Sequence, residues 1–165
     1  MRKRSNDTIR ARGFFRVQIT DDKEGRTRIV GDSGWKENTV TNLGFQHYLV
    51  ELLGAIAGSS QASYLALGTG GAPATGDTAL TGELTHTADA RKSASNSVVS
   101  SKTLQMTAAF NSADSFITAA ANISNIGIFN ASSAGAGSIF AGNTYTSSSL
   151  ATNQNVNATY QIRFS

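Results

Sequence analysis

The chain has 165 residues and no cysteine, which excludes disulfides and thiolate metal sites, and its length suits one domain that buries roughly 70% of its unfolded surface. Only 15% of the residues are charged, proline occurs once, and Ser, Thr and Asn fill long stretches, a composition that favours strands and turns because these side chains compete with a helix for its backbone hydrogen bonds. Charge is uneven: residues 1–37 hold ten basic and six acidic side chains, the remainder four and five, and no apolar run nears the ~18 residues of a membrane span.

Residues 1–12 read as an extended basic arm without a fold of its own, and residues 13–165 as a single domain. The start of the chain leads into no apolar h-region, so synthesis in the cytoplasm is expected. Arg2, Lys3, Arg4, Arg10 and Arg12 are the candidate assembly contacts. The Arg2-Lys3-Arg4 cluster has the charge to displace counterions from phosphates. Asp7 interrupts it, however, and no aromatic side chain stands in the arm to stack on bases, so acidic neighbours in an assembly are the expected partners rather than nucleic acid.

From Gly13, the β-rich run Phe14, Phe15, Val17, Ile19 and the segment Arg28-Ile29-Val30 flank a charged turn at residues 21–25, the pattern of a hairpin. Trp35 is expected to cover one end of the core. Thr41 or Asn42 offers an N-cap, and Phe45, Leu49, Leu52, Leu53 and Ile56 recur at helical spacing, predicting an amphipathic helix over about 42–57 with this stripe against a sheet. Tyr64-Leu65-Ala66-Leu67 predicts a short buried strand, and further strands are expected at 86–92, 97–110, 116–130 and 137–146. Residues 93–101 and 144–155 read as exposed polar connections. Val156, Ala158, Tyr160, Ile162 and Phe164 alternate without a break, the mark of a strand with one buried face, and place Phe164 in the core. About eight antiparallel strands and one helix give a mainly β fold, an antiparallel β-sandwich of jelly-roll-like type.

The candidate chemistry is thin. Gly68-Thr69-Gly70-Gly71 lacks the third glycine of a dinucleotide fingerprint, since position 73 is proline, and lacks the Gly-Lys-Ser/Thr of a P-loop. A tight turn using positive φ accounts for it better. His47 and Glu51 stand four apart on the predicted helix and could share a face, but only His86 remains as a second imidazole, so a solvent-facing pair is preferred to acid–base or metal chemistry. No catalytic residue, metal ligand or cofactor is assigned, and the chain is read as a non-enzyme.

Val40-Thr41-Asn42-Leu43-Gly44 before the helix, Leu65-Ala66-Leu67-Gly68-Thr69-Gly70-Gly71-Ala72-Pro73, Asp77-Thr78-Ala79-Leu80, Glu83-Leu84 and Ile126-Gly127-Ile128-Phe129-Asn130 follow one another in an order that resembles small virion proteins of tailed bacteriophages. The N-terminal domains of phage tail-collar fibres share a looser version. The resemblance spans about residues 38–165 and brings no catalytic residues with it. It implies a bacteriophage virion structural protein, foremost a capsid decoration or cement protein stabilising the head as a homo-oligomer, expected to be a trimer, through contacts with the major capsid protein. A tail or baseplate protein that attaches a fibre is the alternative, and a carbohydrate-binding module, resting on the β-rich frame alone, is the second. The expected location is the virion, without membrane or nucleic-acid partners.

Overall fold

In the computed structural model, which describes residues 10–54, 56, 60–84 and 91–165, the alternation of Phe15, Val17 and Ile19 with polar residues becomes a long strand, β1 (Ala11–Lys23). It turns at Glu24-Gly25 into β2 (Arg26–Asp32), and both turn residues have positive φ, 53° and 71°, as a two-residue hairpin turn of type I′ requires. The expected hairpin is therefore present. Its first strand begins earlier than expected: Ala11 pairs with Phe164 and Arg12 with Arg163, so the boundary between arm and domain falls before residue 11 rather than after residue 12.

The remaining strands are β3 (Lys36–Val40), β4 (Tyr64–Gly68), β5 (Arg91–Ser93), β6 (Ser95–Ser100), β7 (Thr103–Phe110), β8 (Ala121–Phe129), β9 (Ile139–Leu150) and β10 (Asn155–Phe164). Every pairing is antiparallel, in the order β5-β4-β8-β9-β3-β1-β10-β7-β6, with β2 beside β1. The fold is mainly β, a sandwich whose two sheets nearly close into a flattened barrel. Two devices join the sheets. β3 pairs with β1 through Lys36, Glu37 and Asn38 and with β9 through Thr39 and Val40, so one strand changes sheet midway. On the opposite side only Ala94 separates β5, paired with β4, from β6, paired with β7. The first corner closes one side by hydrogen bonding, while on the other side β5 and β6 remain edge strands.

The polar segments 93–101 and 144–155 are not simply loops. β6 and the second half of β9 occupy much of them, because backbone pairing supplies the hydrogen bonds and a solvent-facing strand needs no apolar residues. The expected strand 97–110 is accordingly two strands joined at Ser101-Lys102. Of the expected strand 86–92, residues 85–90 lie outside the described residues.

Between the sheets Phe15, Val17 and Ile19 of β1 meet Met106 and Phe110 of β7, Val156, Tyr160 and Ile162 of β10, and Leu65, Leu67, Ile123 and Ile128 from the opposite side. β10 lies at the centre of its sheet, between β1 and β7, with its predicted face inward. Phe164 is the exception: it is half-buried and only packs against the edge of this core. Trp35 also departs from expectation, being 44% exposed. From Asn125 to Phe129, β8 is buried on both faces, because residues 69–84 fold back over its outer side and set Leu80 against Ala66, Phe129 and Ile139. That second layer explains why Ile126-Gly127-Ile128-Phe129 is continuously apolar rather than alternating.

Among the described residues no helix is long and apolar enough to cross a membrane.

Candidate assembly surface

The residues that carry the sequence resemblance are, in the structure, clasps between elements. Thr41 is the N-cap: its Oγ accepts the Gly44 N–H at 2.9 Å and donates to the Ile139 carbonyl at 2.7 Å, tying the helix start to β9. Gly44 is required because a Cβ there would stand 2.1 Å from the Phe140 carbonyl oxygen. The loop after β4 is held from below by Asn125, whose amide donates to the Gly71 and Thr81 carbonyls at 2.9 and 2.8 Å. Gly68 and Gly70 lack positive φ; they are small because backbone at Thr81 and Gly82 presses on them, and only Gly82, at φ +65°, uses the left-handed region. The expected reason for the glycines is therefore corrected from turn geometry to close approach of two backbones. Asn130 accepts from the Ser138 N–H and donates to Ser60 Oγ, closing the end of β8.

Arg91 and Glu83 form a buried ion pair that the sequence reading did not single out. The guanidinium meets both carboxylate oxygens, donates to the Ala131 and Ala136 carbonyls at 3.0 and 2.7 Å, and lies 3.6 Å from the centre of the Phe129 ring. Eight residues apart and outside any regular element at Glu83, the two show no periodicity that would have joined them. The Glu in the Glu83-Leu84 motif was the sole hint.

Substituting valine for Thr41 keeps the shape and removes both hydrogen bonds, leaving the Gly44 N–H buried without its acceptor. A loss of about 1–3 kcal/mol is expected, read as a lower urea midpoint at unchanged m-value.

Helix α1 runs from Asn42 to Leu53, with α turns over Asn42–Phe45 and Glu51–Leu53 and a π segment over Gln46–Val50 between them. It ends at Gly54, short of the expected residue 57. The expected packing is corrected as well. The Glu51 N–H reaches back to the Gln46 carbonyl, one residue further than in an α-helix, and this wider turn rotates the second half of the helix out of phase with the first. Gly44 and Tyr48 face inward instead, Tyr48 packing edge-on against Phe140 at 5.0 Å and donating to the Ser138 carbonyl at 2.6 Å; burial pushes its phenol above the ordinary value. Leu49 is half-buried, while Phe45, Leu52, Ile56 and above all Leu53, 91% exposed, are left in solvent.

Beside this helix lies a groove of about 450 Å³ between Leu49 and Leu52 on one wall and Leu104, Ile162 and Phe164 on the other. Val98, 78% exposed, stands opposite Leu104 in the β6–β7 register and extends the sheet-side wall. Ile29 and Val30 on β2 are exposed as well.

Of the predicted contacts, Arg2, Lys3 and Arg4 lie outside the described residues. Arg10 is exposed at the head of β1, exchanging backbone hydrogen bonds with Ser165 at 2.9 and 3.0 Å. Arg12 is on the solvent face of β1 and forms a loose 3.7 Å pair with Glu37. The two are therefore at the same end of the molecule as Phe164, close to the groove, but they do not converge on a common partner. A firmer exposed pair lies further along β1: Asp32 accepts from Arg16, from Gln18 and from the Gly34 N–H, and the guanidinium holds its carboxyl well below the usual range.

Comparison with protein-family models, curated proteins and solved structures finds no match to this chain.

His47 and Glu51 do meet, at 2.7 Å, with Gln46 also donating to Glu51 at 2.9 Å; these donors hold the carboxyl below its ordinary range. His86 falls outside the described residues. Among the described residues no three His, Asp or Glu side chains come together as metal ligands would. What the described surface offers is contact area: an apolar helix face, a groove beside it and a projecting charged hairpin.

Proposed function

We propose that this chain is a bacteriophage virion structural protein, and within that class a capsid decoration protein that binds the outside of the head. The observation that carries the reading is where the exposed large apolar side chains sit. Phe45, Leu52, Leu53 and Ile56 on and just after α1, Val98 and Val99 on the edge strand β6, and Ile29 and Val30 on the hairpin are on elements that stand out from the core. Apolar side chains grouped in this way mark surfaces that a neighbouring chain covers. The order of the Thr41, Gly68, Glu83 and Asn130 motifs, which resembles that of small virion proteins of tailed bacteriophages, supports the same class.

The basic segment at the start of the chain fits this reading as a tether. It joins the domain at Arg10, which exchanges backbone hydrogen bonds with Ser165, the residue after Phe164 of the groove. Deletion of residues 1–9 is expected to leave the thermal midpoint within about 2 °C of the full chain, since a polar segment adds little to a core, while weakening attachment to particles. The measurement is quantitative mass spectrometry of gradient-purified particles from cells making either the full chain or the truncated one. Copies in the hundreds for the full chain, reduced for the truncation, agree with a decoration protein. A handful of copies would move the protein to the tail, and absence from particles would overturn the proposal altogether.

A further inference from the structure

We infer that the apolar groove is filled by a second copy of this chain, with Leu53 of one copy entering the groove of the other. The argument rests on two features of the patch taken together. First, among the described residues its walls carry no charge: Leu49, Leu52, Leu104, Ile162 and Phe164 line it, and the polar groups at its rim are neutral, among them Asn96 and Gln61. Arg10 and Arg12 stand outside this lining, so the surface an occupant meets inside the groove is apolar, and an apolar side chain is what fits it. Second, the knob and the hole belong to the same chain. Leu53, 91% exposed, adjoins Leu52, which forms one wall of the groove, and this arrangement lets the same patch on two copies serve as both donor and acceptor of the contact.

The area agrees. The exposed parts of Phe45, Val50, Leu52, Leu53, Ile56 and Val98 come to several hundred Å² at ordinary side-chain sizes. That is on the order of the ~800 Å² that each partner of a standard interface contributes. The stripe faces solvent from its first member, since Phe45, ahead of the π segment, is already 43% exposed. The inference depends only on this patch and stands whether or not the chain is found in a particle.

Sedimentation equilibrium of the full chain is the first test, run up to about 100 μM, above the micromolar affinities at the weak end of standard interfaces. The wild type is expected to self-associate, as a reciprocal pair or a closed ring. Leu53→Glu is expected to weaken that association roughly tenfold or more with an unchanged far-ultraviolet spectrum, because a nearly fully exposed side chain has no part in the core. The natural absence of cysteine makes a second test direct. Leu53→Cys labelled with a thiol-linked photo-crosslinker should produce a species of twice the chain mass, with the link in peptides holding Leu104, Ile162 or Phe164. A wild type that stays monomeric throughout would overturn the inference. So would association that is indifferent to Leu53→Glu, or links that fall outside the groove.

Discussion

Replacing Arg91 with methionine should lower the thermal midpoint by on the order of 10 °C. Breaking a buried pair leaves an uncompensated charge and typically costs about 3–5 kcal/mol, and at this chain length each kcal/mol moves the midpoint by about 2–4 °C. Glu83 is the group left behind, its side chain only 6% exposed. The Ala131 and Ala136 carbonyls lose their donor at the same time, and Phe129 loses the cation above its ring. The double substitution Arg91→Met with Glu83→Leu should recover much of the loss, since apolar side chains of similar volume often replace a buried ion pair at little cost. Thermal melts of the two single variants and the double variant at fixed concentration measure the coupling. A drop below about 2 °C for Arg91→Met alone would mean that the pair is not a structural clasp between Glu83 and β5.

Gly44→Ala should be strongly destabilising, against the general rule for helices. An alanine normally stabilises a helix by about 1 kcal/mol relative to glycine. Here the added methyl carbon would sit 2.1 Å from the Phe140 carbonyl oxygen, which belongs to β9 and cannot swing aside as a flexible side chain would. The helix start must then move off the sheet, which strains or breaks the Thr41 bonds to Ile139 and Gly44. The expected loss is about 3 kcal/mol or more, at or above the upper end of ordinary overpacking. Gly71→Ala is the control: a Cβ there meets nothing within 4 Å and the backbone is not left-handed, so urea midpoints should shift only slightly. If Gly44→Ala were neutral or stabilising, α1 would not be seated against β9 as described.

How much of this protein was legible in its sequence follows from the range of the interactions involved. The sequence by itself determined the fold class, the hairpin around Glu24-Gly25, an N-cap at Thr41 or Asn42, the buried strand Tyr64–Leu67 and the inward face of β10 up to Ile162, because period, turn chemistry and capping are set by residues within a few positions of each other. Tertiary structure alone decided the rest. It made strands of polar residues in β6 and β9 by supplying partners, and it set Arg91 on Glu83. It placed backbone, rather than a turn, against Gly68 and Gly70. Above all it seated α1 on Gly44 and Tyr48, so that a stripe whose spacing pointed inward faces solvent. Helical spacing says which side chains share a face only while the hydrogen bonds keep one period. The packing of Gly44 and Tyr48 onto Phe140 is a contact between residues nearly a hundred positions apart, and no local pattern encodes it.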